Sequence, residues 1–277
     1  MDAEARPNSI TLPPIGACLG ILIVIAYAIV ALTAPWIAPF GETEIVGQPY
    51  EPWGTQFVFG TDNLGRDMLS RLIFGARNTV GIALATTLLC FIIGVGLSLI
   101  SATLGGWTDL VIGRIVDVFM AIPLLIFALL ILAIVGNTVF NLVLVSALLE
   151  ATRVYRVARP VAAGIEVMDY VEIARLRGES VWWVMMREIL PNALPPLVTE
   201  FGIRFCFVFL FISALSFLGL GIQPPAADWG SMVRENATLI TFGIYTPILP
   251  ALAIGLLTVG VNFIVDWFVN IASDLDE

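Results

Sequence analysis

The stretch VEIARLRGESVWWVMMREILPN, residues 171–192, interrupts a chain that is otherwise close to continuously apolar. Two short helices are predicted around it. In the first, Val167, Tyr170, Val171 and Ala174 recur at i, i+3, i+4 and i+7, with Glu166, Asp169, Glu172 and Arg175 on the opposite side. Gly178 breaks or bends the chain there, because glycine costs about 1 kcal/mol in a helix interior. Ser180 is placed to cap the second helix, in which Trp182, Met185, Met186 and Ile189 repeat the apolar spacing. Pro191 is expected to stop that helix, and Pro195–Pro196 to lead into the next apolar run. The residues alone leave three readings open: helices resting on lipid, a packed cap on a helix bundle, or a rigid knob for another protein.

The surroundings make this a membrane protein. Of 277 residues, 59% are hydrophobic and only 13% charged, whereas a soluble domain is about half apolar and about a quarter charged. All 13 basic residues are Arg, and His is absent. A P-loop needs a Lys at the phosphates, so ATP hydrolysis by that route is excluded. Histidine acid–base catalysis and histidine metal ligation are excluded with it. A net charge of −9 argues against nucleic acid. Cys18, Cys90 and Cys206 fall inside apolar runs without disulfide or zinc spacing, and are expected to be small buried hydrophobes.

A spanning helix needs about 20 apolar residues. Six candidates meet or approach this: 15–37, 80–104, 116–135, 139–151 with flanking residues, 197–220 and 248–271. Backbone groups in lipid must be paired within the segment, so all six are expected as helices. The leading segment, with Asp2, Glu4 and Arg6, is not basic, and the first apolar run exceeds a signal-peptide core of about 7–15 residues. It is taken as an uncleaved helix. Arg153, Arg156, Arg159, Arg175, Arg177 and Arg187 cluster between the fourth and fifth spans. The positive-inside rule then places that connection, and both termini, in the cytoplasm. Arg66, Arg71 and Arg77 are left outside, against the rule. Asp62 is a candidate cap for a short outer helix whose face is Leu64, Met68, Leu72 and Ile73. That face suits either a membrane-surface helix or a docking surface.

Several intramembrane polar residues are candidates for a path or gate. Pro123 should kink the third span. Glu200 and Arg204 stand at i, i+4, the favoured order for a helical ion pair, and suit a structural pair or a gate element. Asp117 is expected to pair with Arg114, Glu150 to sit at the interface near Arg153, and Asp266 to reach the cytoplasmic side.

Glu172-Ile173-Ala174, then Gly178, then Ile189-Leu190-Pro191, resembles the EAA loop of permease subunits of ATP-binding-cassette (ABC) importers. Ile173 stands where Ala is usual, and no residue intervenes in Ile189-Leu190-Pro191. FGTDNLGRDMLSRLIFGAR (59–77), RIVDVFMAIP (114–123) and SFLGLGIQPPAADWGSM (216–232) are similar, in the same order, to the C-type inner-membrane subunit of dipeptide, oligopeptide and nickel importers. Two departures are Ile212, where relatives often carry Glu, and the acidic tail SDLDE.

The resemblance implies an all-α, type I importer permease fold with six transmembrane helices and a cytoplasmic coupling helix between the fourth and fifth. It implies an N-terminal helix and extracytoplasmic segment over 1–74 and a core over 75–277, with the EAA-type loop at 153–194. Tyr170, Val171, Glu172, Ala174, Arg175, Gly178, Leu190 and Pro191 would form the ATPase-coupling loop. The implied partners are a homologous permease chain in a heterodimer, two cytoplasmic ATPase subunits, an extracytoplasmic solute-binding protein and the bilayer of a bacterial inner membrane. ATP and Mg would act on the ATPase subunits, leaving this chain non-catalytic and without a cofactor or metal. The solute expected is peptide-like, moved by alternating access. An ATP-independent channel or secondary transporter is the alternative; it predicts charged residues near mid-membrane or broken helices in matched halves. An intramembrane enzyme would have to rely on Asp117 and Asp266.

Overall fold

The computed structural model describes residues 14–275. Asp2, Glu4 and Arg6 of the leading segment, and Asp276 and Glu277 of the tail, lie outside the described residues. Helices α1 (Ile15–Ile37), α2 (Met68–Gly75), α3 (Gly81–Leu104), α4 (Gly106–Ala121), α5 (Leu124–Val135) and α6 (Val139–Glu166) form the first half. Helices α7 (Asp169–Leu176), α8 (Val181–Val184), α9 (Leu190–Phe217), α10 (Trp229–Asn236) and α11 (Ile248–Leu275) form the second. Two π-turns, Ala76–Val80 and Met185–Ile189, join neighbouring helices without a break. There is no β-strand among the described residues, only isolated bridges at Ile45–Arg66 and Thr61–Asp67.

Four continuous helical runs are long and apolar enough to cross a membrane: Ile15–Ile37, Met68–Leu104, Val181–Phe217 and Ile248–Ile271. Counted as one span, the bent pair α4 and α5 gives a fifth, with 91° between its halves. Helix α6 is 28 residues long but carries Glu150, Arg153, Arg156 and Arg159 in its second half. The expected kink at Pro123 is instead a break in the helix between α4 and α5. Ile122, preceding Pro123, takes extended backbone at φ −91° and ψ 133°, since a proline ring disfavours α geometry in the residue before it.

Helix α3 packs along α6, and α9 closes against both. Gly94 sets the first approach: a Cβ there would lie 2.7 Å from the Ala151 carbonyl oxygen. Small residues allow such crossings where lipid supplies no hydrophobic drive between helices. Helix α1 lies outside this core against α11. Cys90 and Cys206 are buried, whereas Cys18 on α1 is exposed, contrary to expectation; α1 buries only Ala17, Gly20 and Ala34.

The expected stop at Pro191 does not occur, and Val181–Phe217 runs as one 37-residue helical unit. The π-turn explains this. Leu190 N–H bonds back to Met185 O, five residues earlier, so the ladder is already offset where the Pro191 ring enters it. The Asn192 side-chain amide donates to Glu188 O at 2.6 Å, satisfying a carbonyl in the offset turn.

Candidate functional site

At one end of the bundle, α7 lies across the ends of α3 and α6 and the start of the α8–α9 run. Val171 and Ala174 are fully buried, packed with Leu99, Ala162, Val184, Met185 and Ile189. Arg175 holds the seat from above. Its Nη2 lies 2.7 Å from Glu166 at the end of α6 and donates to Thr103 O at the end of α3 at 3.2 Å. The helix then ends in a two-bond cap: Gly178 N–H donates to Arg175 O at 2.9 Å, and Glu179 N–H to Ala174 O at 3.3 Å. Gly178 has φ +83°, the left-handed conformation that such a cap requires. Ser180 accepts from Trp183 N–H at 3.2 Å and starts α8. Arg177 lies 5.8 Å over the Trp183 ring and 3.9 Å from Glu188.

The opposite face is apolar and open. Leu176 is 80% exposed, Trp182 64% and Ile173 55%, with Met168, Tyr170 and Val181 beside them. Glu172 stands among them, exposed, its side chain making no hydrogen bond or ion pair among the described residues. Contiguous exposed apolar surface of this kind marks a contact with protein or membrane.

The coupling-loop residues named from the sequence separate into layers. Tyr170 and Glu172 face outward; Val171 and Ala174 face the seat; Arg175 and Gly178 fix the ends. Leu190 is half-buried and Pro191 exposed in the first turn of α9. The predicted faces were partly wrong. Val167 and Tyr170 are exposed although Val171 and Ala174 are buried, and Trp182 points out while Val184 takes its place inside. Val167 caps the end of α6 and is not part of α7, so a spacing counted from it does not run along one helix; in the second helix Met185 and Ile189 are buried as expected. Ile173, Leu176 and Trp182 were not singled out as surface residues; the departure at Ile173 was the available signal.

Within the bundle, Arg204 joins two acids. Its Nη1 lies 3.1 Å from Glu150 on α6, and its Nε donates to Glu200 at 3.1 Å, with Nη2 on the same oxygen. Glu150 is thus buried, not interfacial, and Arg153 approaches it at 3.4 Å from a half-exposed position. Burial forces such pairing, since an isolated charge in a membrane interior is costly. Asp117 pairs with Arg156 of α6 at 3.2 Å rather than with Arg114. Pro123 stands at the break between α4 and α5, away from this triad in the chain. Asp266 is exposed.

At the opposite end lies a collar. Asp67, not Asp62, caps α2, accepting from Ser70 N–H at 2.8 Å. Asp62 instead holds Arg66 at 2.6 Å and Arg71 at 3.4 Å, and both guanidinium groups reach Glu235 of α10 at 3.5 Å. Met68 is fully buried and α2 feeds straight into the π-turn and α3, so the helix does not lie along a membrane surface. Trp229 donates from Nε1 to Leu72 O at 2.9 Å. Asp228 accepts from Thr79 Oγ1 at 2.9 Å, and burial raises its carboxyl pKa above the usual range.

The family model described as "Binding-protein-dependent transport system inner membrane component" matches residues 94–274. The "Di/tripeptide transport system permease protein DppC" of Pseudomonas aeruginosa (strain UCBPP-PA14) is 34% identical over 91% of this chain and 85% of its own length. The "Dipeptide transport system permease protein DppC" of Haemophilus influenzae is 31% identical over 91% and 88%. The "Glutathione transport system permease protein GsiD" of Pectobacterium atrosepticum is 33% identical over 75% and 69%. Among solved structures, the "Crystal structure of an amino acid ABC transporter with histidines" superposes with a TM-score of 0.51 at 21% identity, covering 72% of this chain and 92% of that one. The last likeness concerns the fold alone. The chain belongs to the family of binding-protein-dependent transport system inner membrane components, and is a multi-pass permease subunit of an ABC importer.

Proposed function

We propose that this permease forms half of the translocation path for a peptide-like solute, and that the outer face of α7 and α8 is where an ATPase subunit docks. The observation that carries the reading is an exposed apolar surface on a seat tied by side chains to α3, α6 and α9. Tyr170, Glu172, Ile173, Leu176 and Trp182 make the contact. Val171 and Ala174 seat the helix, Gly178 fixes its end, and Leu190–Pro191 continue it into α9. Lipid alone does not call for Glu172 on that face.

A homologous permease chain supplies the other half, two ATPase subunits bind the two loops, and an extracytoplasmic binding protein delivers solute. ATP and Mg act on the ATPase subunits; this chain is non-catalytic. The peptide class comes from the names of the relatives. With 153–194 cytoplasmic, both termini are cytoplasmic, 1–74 contributes the first helix and the outer segment, and 75–277 is the core. Arg66 and Arg71 do not oppose this orientation, since each is paired with acids inside the collar.

Alternating access requires the docking helix to have two positions, each favoured by a different nucleotide state. Arg175 links such a movement to α3 and α6 at once. The Pro123 break and the Glu150–Arg204–Glu200 triad then belong to the gate, one permitting the third span to flex and the other keeping α6 on α9. The test is co-purification and ATPase activity of the assembled complex with Glu172→Ala and Gly178→Asp. Variants that reach the membrane but lose docking or solute-stimulated turnover support the reading. Intact docking and transport in both would sink it.

A further inference from the structure

Between α4 and α6 lies a pocket of 290 Å³ lined by Asp109, Asp117, Arg114, Arg156, Arg159 and Tyr155, among others. Two of the three guanidinium groups are matched. Arg159 grips Asp109 with Nε at 2.6 Å, and Arg156 meets Asp117 at 3.2 Å. Asp109 is further held by Ser101, whose hydroxyl lies 2.8 Å from that of Tyr155. The Arg114 side chain makes neither an ion pair nor a hydrogen bond among the described residues. Three cations against two anions leave the pocket one positive charge in excess, carried by Arg114.

The setting supplies a second, independent observation. Trp107 opens α4 and is 83% exposed, the position of an aromatic anchor at a membrane–water interface. Above it Leu110, Val111, Ile115 and Val118 are also exposed, a stripe suited to acyl chains. Arg114 is seven residues along α4, about 10 Å deeper by helical rise, and its stem is long enough to turn the guanidinium back toward the headgroups. The end of α3 beside α4 is the end that Arg175 of α7 touches. The pocket therefore shares a side with the proposed docking surface.

We infer that this pocket binds the phosphodiester headgroup of an anionic phospholipid from the inner leaflet, with Arg114 as the unmatched cation that selects the charge. Basic pockets between transmembrane helices on the cytoplasmic side bind such headgroups, and the acyl chains lie along the α4 stripe. The inference rests on the proposed orientation for the choice of leaflet, not for the chemistry of the site.

Native mass spectrometry of the assembled complex, with phosphatidylglycerol or phosphatidylcholine added, tests it. Wild type is expected to retain phosphatidylglycerol preferentially. Arg114→Gln should weaken that retention about fivefold, the effect of about one surface cation. Gly113→Leu should weaken it without changing charge, because a Cβ at Gly113 stands 3.9 Å from the Tyr155 hydroxyl and a longer side chain fills the pocket. Equal retention by wild type and both variants overturns the site. Displacement of the lipid by inorganic phosphate at equal concentration assigns the pocket to a free anion instead. Loss of the partner permease in Gly113→Leu assigns the face to a subunit contact and also overturns it. ATPase co-purification on the same samples separates the two readings: the lipid effect should appear while docking through α7 is unchanged.

Discussion

The two ends of the bundle treat charge in opposite ways. In the collar, Asp62, Arg66 and Arg71 are at most 3% exposed at their side chains and pair only with the protein. At the α7 end, the Glu166–Arg175 pair is 21% and 44% exposed, and the apolar residues beside it point outward. The collar pairs its charges internally, although the Arg71 guanidinium and Glu235 Oε2 make ion pairs there without a hydrogen bond. The α7 end is packed underneath and open on top, as the proposed docking surface requires. Substitutions should therefore divide: at the collar they act on folding, and at α7 on assembly.

The largest effect is expected from Asp62→Ala. Two guanidinium groups would remain in a buried site with only Glu235 at 3.5 Å. Removing one partner of a buried ionic group costs about 3–5 kcal/mol. The thermal midpoint of the purified complex, and its yield, should fall steeply. An unchanged midpoint would mean that the collar is not held by its charges, and the contrast between the ends would fail. Arg204→Met should come next, near the lower end of the same range of about 3–5 kcal/mol, because Arg153 already stands 3.4 Å from Glu150. Glu150→Gln in the same chain should recover part of the loss, whereas Glu150→Gln alone should not stabilise.

Gly178→Ala bridges the two classes. Nothing lies within 4 Å of a Cβ built there, so only the φ of +83° opposes a side chain. The cost should be about 1–2 kcal/mol, confined to the cap of α7. Differential hydrogen exchange should show loosened protection at Gly178 and Glu179, with the bundle unaffected. Protection equal to wild type would show that the seat alone, without the cap, positions α7.

What was legible in the sequence follows the range of the interaction. The bounds of α1, the Gly178 bend and the Ser180 cap depend on neighbours a few residues away, and each appears as expected. The partner of Arg204 was half legible: Glu200 is four residues before it, but Glu150 is 54 away and on another helix. For the same reason Asp117 was assigned to Arg114, its neighbour in sequence, rather than to Arg156 across the α4–α6 gap. Proline was misjudged in both directions. Pro123 breaks a helix because its predecessor is forced into extended backbone, and Pro191 leaves one unbroken because a π-turn precedes it. Neither outcome follows from residue type without the hydrogen-bond ladder around it. The layers of the α7 site were hidden because the periodicity is counted from Val167, which caps α6 and does not belong to α7.

The smallest effect on stability, and the sharpest test of the contrast, belongs to Ile173→Ser and Leu176→Ser. Both side chains are more than half exposed and touch no other element closely enough to be counted in the core. Surface changes of this kind stay within about 0.5 kcal/mol, so the thermal midpoint should hardly move. The same two residues are central to the apolar face, and anchors in such a patch cost more than about 1 kcal/mol when removed. ATPase subunits should then bind the permease several-fold more weakly, measured by titration of the purified ATPase onto permease in nanodiscs. A buried residue in the same helix is the control: Ala174→Asp should reduce folding and binding together, since Ala174 has no exposed surface to offer a partner. If Leu176→Ser instead lowers the midpoint and leaves ATPase binding intact, the exposed face is packing against something within the assembly other than the ATPase. The division between an internally paired collar and the proposed docking surface then falls.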